Sequence, residues 1–174
     1  MIVQYCRIPS LYPGKNPLRE YLAQIPDGQQ RLDVLQREYG GRTPLHWATR
    51  QNHHTIITVM LESLPPVDRL IMLKTRDWTP LHDAARWNNA EAVRAILDCL
   101  TPEQQRELVS MWDEDGETAA AVAKRMRLRE QDEDKDEDEV PHFFGIAVDE
   151  DEVFDMIDDE ETRDVLRILQ EFQM

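Results

Sequence analysis

The sequence is poor in glycine and has no long apolar run. With six glycines in 174 residues, it contains no Gly-rich phosphate loop, no Gly-x-Ser-x-Gly nucleophile elbow and no His-Glu-x-x-His zinc motif. Its longest apolar run is far shorter than the ~20 residues that a membrane-spanning helix needs. Residues 1–7 lack the charged start and the apolar stretch of a secretory signal. These absences argue against the common motif-bearing enzymes, against a membrane span and against secretion.

Cysteine is also scarce. The two cysteines, Cys6 and Cys99, are too few for a disulfide scaffold. Cys99 falls in an apolar helical pattern, where we expect a small buried thiol. With no secretory signal, this usage predicts a reducing intracellular location, either cytoplasmic or nuclear.

Negative charge is concentrated in one segment. Residues 130–160 hold 16 acidic residues and one lysine, and so account for the whole net charge of −15. The rest of the chain holds 19 acidic and 19 basic residues, which cancel. The sequence therefore divides into a neutral body and an acidic segment, which we expect to be a mobile insertion.

One motif occurs twice in the neutral body. The run Thr-Pro-Leu-His-x-Ala begins at Thr43 and again at Thr79, which is 36 residues later, and a weaker copy begins at Thr118 after a further 39 residues. This motif at this period resembles the ankyrin repeat. The resemblance implies an all-α solenoid of stacked helix pairs and a function in binding other proteins, without catalysis, a cofactor or a metal.

Apolar triplets with helical spacing follow the same period. Three of them predict the second helices of successive units. They are Leu18, Leu22 and Ile25; Ile57, Leu61 and Leu64; and Val93, Leu97 and Leu100. Since no Thr-Pro-Leu-His helix precedes the first triplet, residues 1–25 are interpreted as a half-repeat that caps the array.

Each of these triplets is followed by an extension. Pro26, Pro65 and Pro102 are each followed by apolar residues at helical spacing. This pattern predicts a short third helix in each connection. The extra helix explains why the period is longer than that of a common ankyrin repeat.

The residues of the motif have expected structural roles. Leu45 and Leu81 should fill the core between stacked units. Asn52 and Asn88 replace the glycine that ends the first helix in the family, and asparagine tolerates the left-handed backbone needed there. Arg127 stands at the same place in the third copy, so we expect that helix not to turn in the usual way.

The repeats divide the chain into five expected regions. A triplet at Val165, Leu169 and Phe172 matches the earlier second helices, so the last repeat is interpreted as split by the acidic segment. An unrelated C-terminal helix after a disordered linker is the alternative. The regions are residues 1–37 (half-repeat cap and extension), 38–76 and 77–115 (full repeats), 116–129 with 161–174 (split repeat), and 130–160 (acidic insertion).

The resemblance also implies where a partner would bind. Variable residues before the Thr-Pro-Leu-His start and near the end of the first helix contact partners in this family. The matching positions are rich in arginine and tryptophan, the residues that dominate protein interfaces. Of the twelve matching positions, the eight predicted to bind a partner are Tyr39, Arg42, Arg50, Arg76, Trp78, Arg86, Trp87 and Arg125, and the other four are Gln51, Asp115, Glu117 and Met126. Alternatively, the tryptophans only pack against arginine stems within the repeat surface.

The acidic segment allows several interpretations. It carries apolar residues among its charges, as do segments that fold onto a partner. It could bind a basic protein through long-range attraction, occlude the arginine-rich face of its own chain, or remain a solvated loop. The candidate residues are Asp132, Glu133, Asp134, Asp136, Glu137, Asp138, Glu139, Phe143, Phe144 and Phe154.

These observations together predict a non-enzymatic module that binds another protein and is a monomer. One alternative is an acidic inhibitor that imitates a polyanion and blocks a nucleic-acid-binding protein. The other is a purely structural module without a partner. Direct nucleic-acid binding is not expected, because the basic run at residues 124–129 adjoins the acidic segment.

Overall fold

The computed structural model describes residues 16–75, 78–133 and 160–172. Within these ranges the chain forms ten helices, and an isolated antiparallel bridge joins Trp112 to Thr118. The helices are α1 (Pro17–Ala23), α2 (Gly28–Gln36), α3 (Pro44–Arg50), α4 (His54–Glu62), α5 (Pro66–Leu73), α6 (Pro80–Arg86), α7 (Ala90–Asp98), α8 (Pro102–Val109), α9 (Ala119–Glu133) and α10 (Glu160–Glu171).

The helices stack in three parallel rows. Helices α3, α6 and α9 form the first row, and α1, α4, α7 and α10 form the second. The connection helices α2, α5 and α8 form a third row against the edge of the second. This arrangement confirms the predicted solenoid of helix pairs with a short extra helix in each connection.

The first-row helices begin in the same way. Thr43 and Thr79 are the N-caps, and the proline that follows each of them needs no hydrogen-bond partner for its nitrogen. The amide N–H of each threonine donates to Nδ1 of the histidine three residues later, at 3.3 Å for both His46 and His82. Each motif histidine therefore helps to cap the N-terminus of its own helix.

The same histidines also link neighbouring units. His46 Nε2 lies 2.9 Å from the Trp78 carbonyl oxygen, and His82 Nε2 lies 3.1 Å from the Glu117 carbonyl oxygen. Since Nδ1 accepts an amide N–H, Nε2 carries the proton and donates it to the next unit. Burial lowers the pKa of both histidines, which favours this neutral form.

The turns after the first helices supply further links. Asn52 and Asn88 have φ values of 54° and 53°, which confirms the predicted left-handed backbone. The side-chain oxygen of Asn52 accepts from the Ala92 N–H at 3.0 Å, and the side-chain amide of Asn89 donates to the Thr49 carbonyl oxygen at 2.6 Å. Polar side chains in the turns therefore fix the register between the first two full units.

The row of connection helices is held by side chains that cap backbone carbonyls. Arg69 donates from Nη1 to the Cys99 carbonyl oxygen at 2.8 Å, and Gln104 donates to the Pro66 carbonyl oxygen at 2.8 Å. Lys74, the residue that follows α5, pairs with Glu107 of α8. The extensions are therefore a stacked part of the solenoid and not loose linkers.

The apolar seam runs between the rows. Leu45 and Leu81 are fully buried, as predicted, and Ala48 and Ala84 are also fully buried. Alanine allows the helices of the first row to approach closely, because a larger side chain would separate them. Ala123 is buried at the equivalent place in α9, so the seam continues into the third unit.

The third unit departs from the other two. Helix α9 has 15 residues where α3 and α6 have seven, and it continues through residues 130–133, beyond the expected boundary of the acidic insertion. Arg127 does not provide the left-handed turn, and the residues after it are good helix formers. Helix α10 packs on α7 and α9 and buries Val165 and Leu169. Its position supports the split-repeat interpretation, which stays a prediction.

The buried seam gives a first prediction. Leu45→Ala should lower the free energy of unfolding by about 2–5 kcal/mol, because it leaves a cavity between stacked helices. Leu128→Ala is the matched control, since Leu128 is 43% exposed and its truncation should cost less than ~0.5 kcal/mol. Urea denaturation measures both values. Equal losses in the two variants would contradict a continuous apolar seam.

The neutral histidines give a prediction about pH. Unfolded histidine has a pKa near ~6.5, whereas burial lowers the pKa of folded His46 and His82. As the pH falls below ~6.5, the unfolded chain binds protons first, so the free energy of unfolding decreases. Urea denaturation between pH 7.5 and 5.5, taken as about one unit on either side of that pKa, should show this decrease.

A control separates the contribution of the histidines to this pH dependence from that of the carboxylates. In His82→Gln the decrease should be smaller than in the unmodified chain, whereas Leu128→Ala, which removes no titratable group from an exposed position, should leave it unchanged. The same pH dependence in all three proteins would refute the inferred role of His82.

Candidate functional site

A groove of about 430 Å³ crosses the ends of the repeat units. It brings together residues from the loops before each unit and from the first-row helices. We call it the Trp78 groove, and its lining residues are Glu38, Gly41, Arg42, His46, Thr75, Trp78, Arg86, Glu114, Asp115 and Arg125. Four of the predicted partner-binding residues, Arg42, Trp78, Arg86 and Arg125, are among them.

Trp78 is held from several sides. Its indole Nε1 donates to Asp83 Oδ1 at 3.0 Å, and its carbonyl oxygen accepts from His46 Nε2 at 2.9 Å and from Thr75 Oγ1 at 2.5 Å. Its ring lies 5.4 Å from the His82 ring, centroid to centroid. These contacts fix the indole at the middle unit of the groove.

Asp83 lies behind the groove and was not predicted as a functional residue. Its side chain is only 1% exposed, and Oδ1 lies 3.9 Å from Arg42 Nη1. Its second oxygen, Oδ2, has no hydrogen-bond partner among the described residues. The available signal was its place in the repeated motif, where Asp83 replaces Trp47. Asp83 therefore orients Trp78 and partly neutralises Arg42.

The groove arginines differ in their surroundings. The Arg86 guanidinium carbon lies 5.8 Å from the centre of the Trp78 ring, and Arg86 makes no ion pair with any described residue. Arg42 keeps 34% of its side chain exposed while Nη1 faces Asp83. Thus Arg86 is the groove guanidinium with the least compensated charge in the described part of the chain.

Arg125 is paired with Glu117. Its Nε lies 2.8 and 3.0 Å from the two carboxylate oxygens of Glu117, and its Nη2 lies 2.6 Å from one of them. These hydrogen bonds raise the pKa of Arg125. Because its preferred donors are engaged within the chain, Arg125 forms a fixed wall of the groove.

Three other predicted residues lie outside the groove lining. The Arg50 guanidinium carbon lies 4.6 Å from the centre of the Trp87 ring, and Trp87 is 46% exposed. Tyr39 is also exposed and donates its backbone N–H to the Arg42 carbonyl oxygen in a tight turn. Trp87 therefore does pack on an arginine, as the alternative interpretation held, while much of its surface stays open. The eighth residue, Arg76, lies outside the described residues.

Most of the predicted residues of the acidic segment lie outside the residues that the structure describes. Asp132 and Glu133 are in the last turn of α9. The remaining residues lie outside the described ranges, so their predicted roles stay predictions. They are Asp134, Asp136, Glu137, Asp138, Glu139, Phe143, Phe144 and Phe154.

The residues predicted to bind a partner did not include the carboxylates of the groove, although Asp115 was one of the matching positions. Glu38, Glu114 and Asp115 line it beside the arginines. Asp113 lies buried behind them, with Oδ1 accepting from the backbone N–H groups of Asp115 at 3.0 Å and Glu117 at 2.8 Å. The acidic residues just before the motif starts at Thr43 and Thr118 were the available signal. The site is therefore a groove of mixed charge and not a basic face.

Asp83 gives a test of this geometry. Asp83→Ala removes the acceptor of the Trp78 N–H and the counter-ion of Arg42, and should lower the free energy of unfolding by about 1–3 kcal/mol. Asp98→Ala is the control, because Asp98 is exposed at the end of α7. If urea denaturation gave the same value for both variants, Asp83 would not hold the groove together.

Comparison with known proteins supplies the family. The model of a family described as ankyrin repeats (three copies) matches residues 14–107, more than half of the chain. No curated protein matches the sequence. Among the described residues, no three His, Cys, Asp or Glu side chains are grouped so that they could hold a metal ion. Every described helix is too short or too polar to span a membrane. Ankyrin repeats generally mediate protein–protein interactions and are typically non-enzymatic. The chain belongs to the ankyrin repeat family.

Proposed function

We propose that the chain is a non-enzymatic module that binds a partner protein in the Trp78 groove. The observation that carries this proposal is the convergence of Arg42, Trp78, Arg86 and Arg125 on one groove. These residues come from three successive units, so a partner would contact the solenoid along its stacking direction. The proposal makes Trp78 the central contact.

The properties of the groove suit protein recognition. Its volume of about 430 Å³ is large enough for several side chains of a partner. An indole held by Asp83 loses little freedom on binding, so its contact area is gained at low entropic cost. Tryptophan and arginine are also the residues most often found at the energetic centre of interfaces.

The groove histidine does not suit general acid–base catalysis. Both ring nitrogens of His46 are engaged, with Nδ1 accepting from the Thr43 N–H and Nε2 donating to the Trp78 carbonyl. A general base needs a free nitrogen within reach of a substrate proton. This engagement supports a binding role over an enzymatic one.

A second exposed surface could extend the interface. Trp87 and Arg50 stack at the far ends of α6 and α3, and Tyr39 is exposed beside the turn at Gly40. Large amphipathic side chains of this kind are common in protein interfaces. We propose that they form the periphery of the binding surface.

For the acidic segment we propose attraction of a basic partner. The excess charge of −15 within residues 130–160 would raise the local concentration of such a partner and its association rate. Deletion of residues 134–159 should then weaken capture at low salt. Stronger capture would instead indicate occlusion of the groove, and unchanged capture would indicate a solvating segment.

We also propose an intracellular location, either cytoplasmic or nuclear. Among the described residues the cysteine is Cys99, which is a free thiol. Burial raises the pKa of this thiol, which makes it a weak nucleophile. Fluorescent fusion and fractionation test this location, and recovery of the chain in the secreted fraction would contradict it.

The central test compares two tryptophans by quantitative affinity capture. Trp78→Ala should reduce recovery of the partner at least tenfold, about 1.4 kcal/mol or more, because a central aromatic contact is lost. Trp112→Ala is the matched control, since Trp112 is 70% exposed and lies outside the groove lining. Thermal unfolding of each variant separates loss of binding from loss of folding. Equal recovery with both folded variants would contradict the proposal.

A further inference from the structure

The Trp78 groove holds more negative than positive charge. Three guanidiniums and three carboxylates line it, and three further carboxylates lie directly behind the lining residues. The lining carboxylates are Glu38, Glu114 and Asp115, and those behind are Asp83, Asp113 and Glu117. Among the described lining residues the histidine is His46, and burial lowers its pKa, which favours the neutral ring. The groove within the described residues therefore has an acidic excess.

Two of the three groove arginines already have counter-ions. Glu117 binds Arg125 at 2.6 Å, and Asp83 lies 3.9 Å from Arg42. An acidic ligand would therefore find only Arg86 without a counter-ion among the described residues. It would also face the lining carboxylates, and like charges placed together in an interface weaken binding.

The lining carboxylates are available to a ligand. Glu38, Glu114 and Asp115 are exposed and make no ion pair with any described residue. Glu38 precedes the motif start at Thr43, whereas Glu114 and Asp115 precede the motif start at Thr118. Trp78 precedes the second unit, so the carboxylates lie on both sides of an aromatic ring. The Arg86 guanidinium already lies 5.8 Å from the centre of this ring, so the carboxylates, and not the ring face, would hold a ligand cation.

We propose that the Trp78 groove takes an extended basic segment of a partner protein, with lysine or arginine side chains paired to Glu38 and to the turn at Glu114 and Asp115. This inference rests on the proposed function and specifies the chemistry of the partner. The backbone of the segment runs along the stacked units. Its cations contact carboxylates from the first and third units across the Trp78 ring.

The test uses the full chain and a random nonapeptide library displayed on phage. Selected peptides should carry excess lysine and arginine. Fluorescence anisotropy then measures the affinity of the selected peptides for two variants of equal net charge. One neutralises the groove, with Glu38→Gln, Glu114→Gln and Asp115→Asn. The matched control, with Glu20→Gln, Asp98→Asn and Glu171→Gln, neutralises exposed carboxylates outside the groove.

The groove variant should bind the peptides about tenfold more weakly, because three partly exposed ion pairs are lost. The control variant should change the affinity less than twofold. Selection of acidic peptides, equal affinity for both variants, or no selected peptide would overturn the inference. Equal affinity would place the attraction in the overall charge or in the acidic segment.

One further variant separates this inference from the proposed function. If Trp78→Ala abolishes peptide binding while the groove carboxylate variant does not, the groove binds proteins but not through basic residues. If neither variant affects binding, both the groove and its proposed chemistry are wrong.

Discussion

The hydrogen bond from His46 to the Trp78 carbonyl is the interaction on which both the stacking and the groove depend. The His46 imidazole caps the start of α3 by accepting the Thr43 N–H at Nδ1. Its Nε2 lies 2.9 Å from the Trp78 carbonyl oxygen of the next unit. It thereby fixes the backbone of the residue whose side chain is the centre of the groove. His82 repeats the arrangement toward Glu117, so the third unit is set by the same contact.

The groove follows from this backbone placement together with the counter-ions behind it. With its carbonyl held by His46, the Trp78 indole turns to Asp83, which also lies near Arg42. Glu117, whose carbonyl oxygen accepts from His82, uses its carboxylate to hold Arg125. The residues that stack the units therefore also orient the residues that line the groove, so the shape of the groove and the stability of the stack are coupled in this chain.

Much of the fold could be predicted because each repeated residue has a local role. Leu45 and Leu81 are buried, and Asn52 and Asn88 adopt the left-handed backbone, as their places in the motif require. The length of α9 was harder to predict. The absence of a turn-forming residue at position 127 indicates that the helix continues past Arg127, but it does not indicate where the helix ends. Here helix propensity continued the helix into the acidic residues.

The sequence predicted which positions would form the site, but not how the charges at those positions would be paired. Family resemblance predicted Arg42 and Arg125 as partner-binding positions, and both line the groove. Their counter-ions Asp83 and Glu117 are found only in the folded chain. Asp83 lies on the unit next to Arg42, and Glu117 precedes the helix that carries Arg125, so neither ion pair has a helical spacing that a sequence pattern would reveal. For the same reason, a surface that seemed basic in sequence is a groove of mixed charge.

The most direct test of the account is the tautomer of His46, measured from the ¹⁵N chemical shifts of its ring by NMR at neutral pH. The hydrogen bonds to Thr43 and Trp78 require a neutral ring that carries its proton on Nε2. We therefore predict a single Nε2–H tautomer whose proton exchanges slowly with water. A ring protonated on Nδ1, or one exchanging between tautomers, would contradict the contact on which the stacking and the groove both depend.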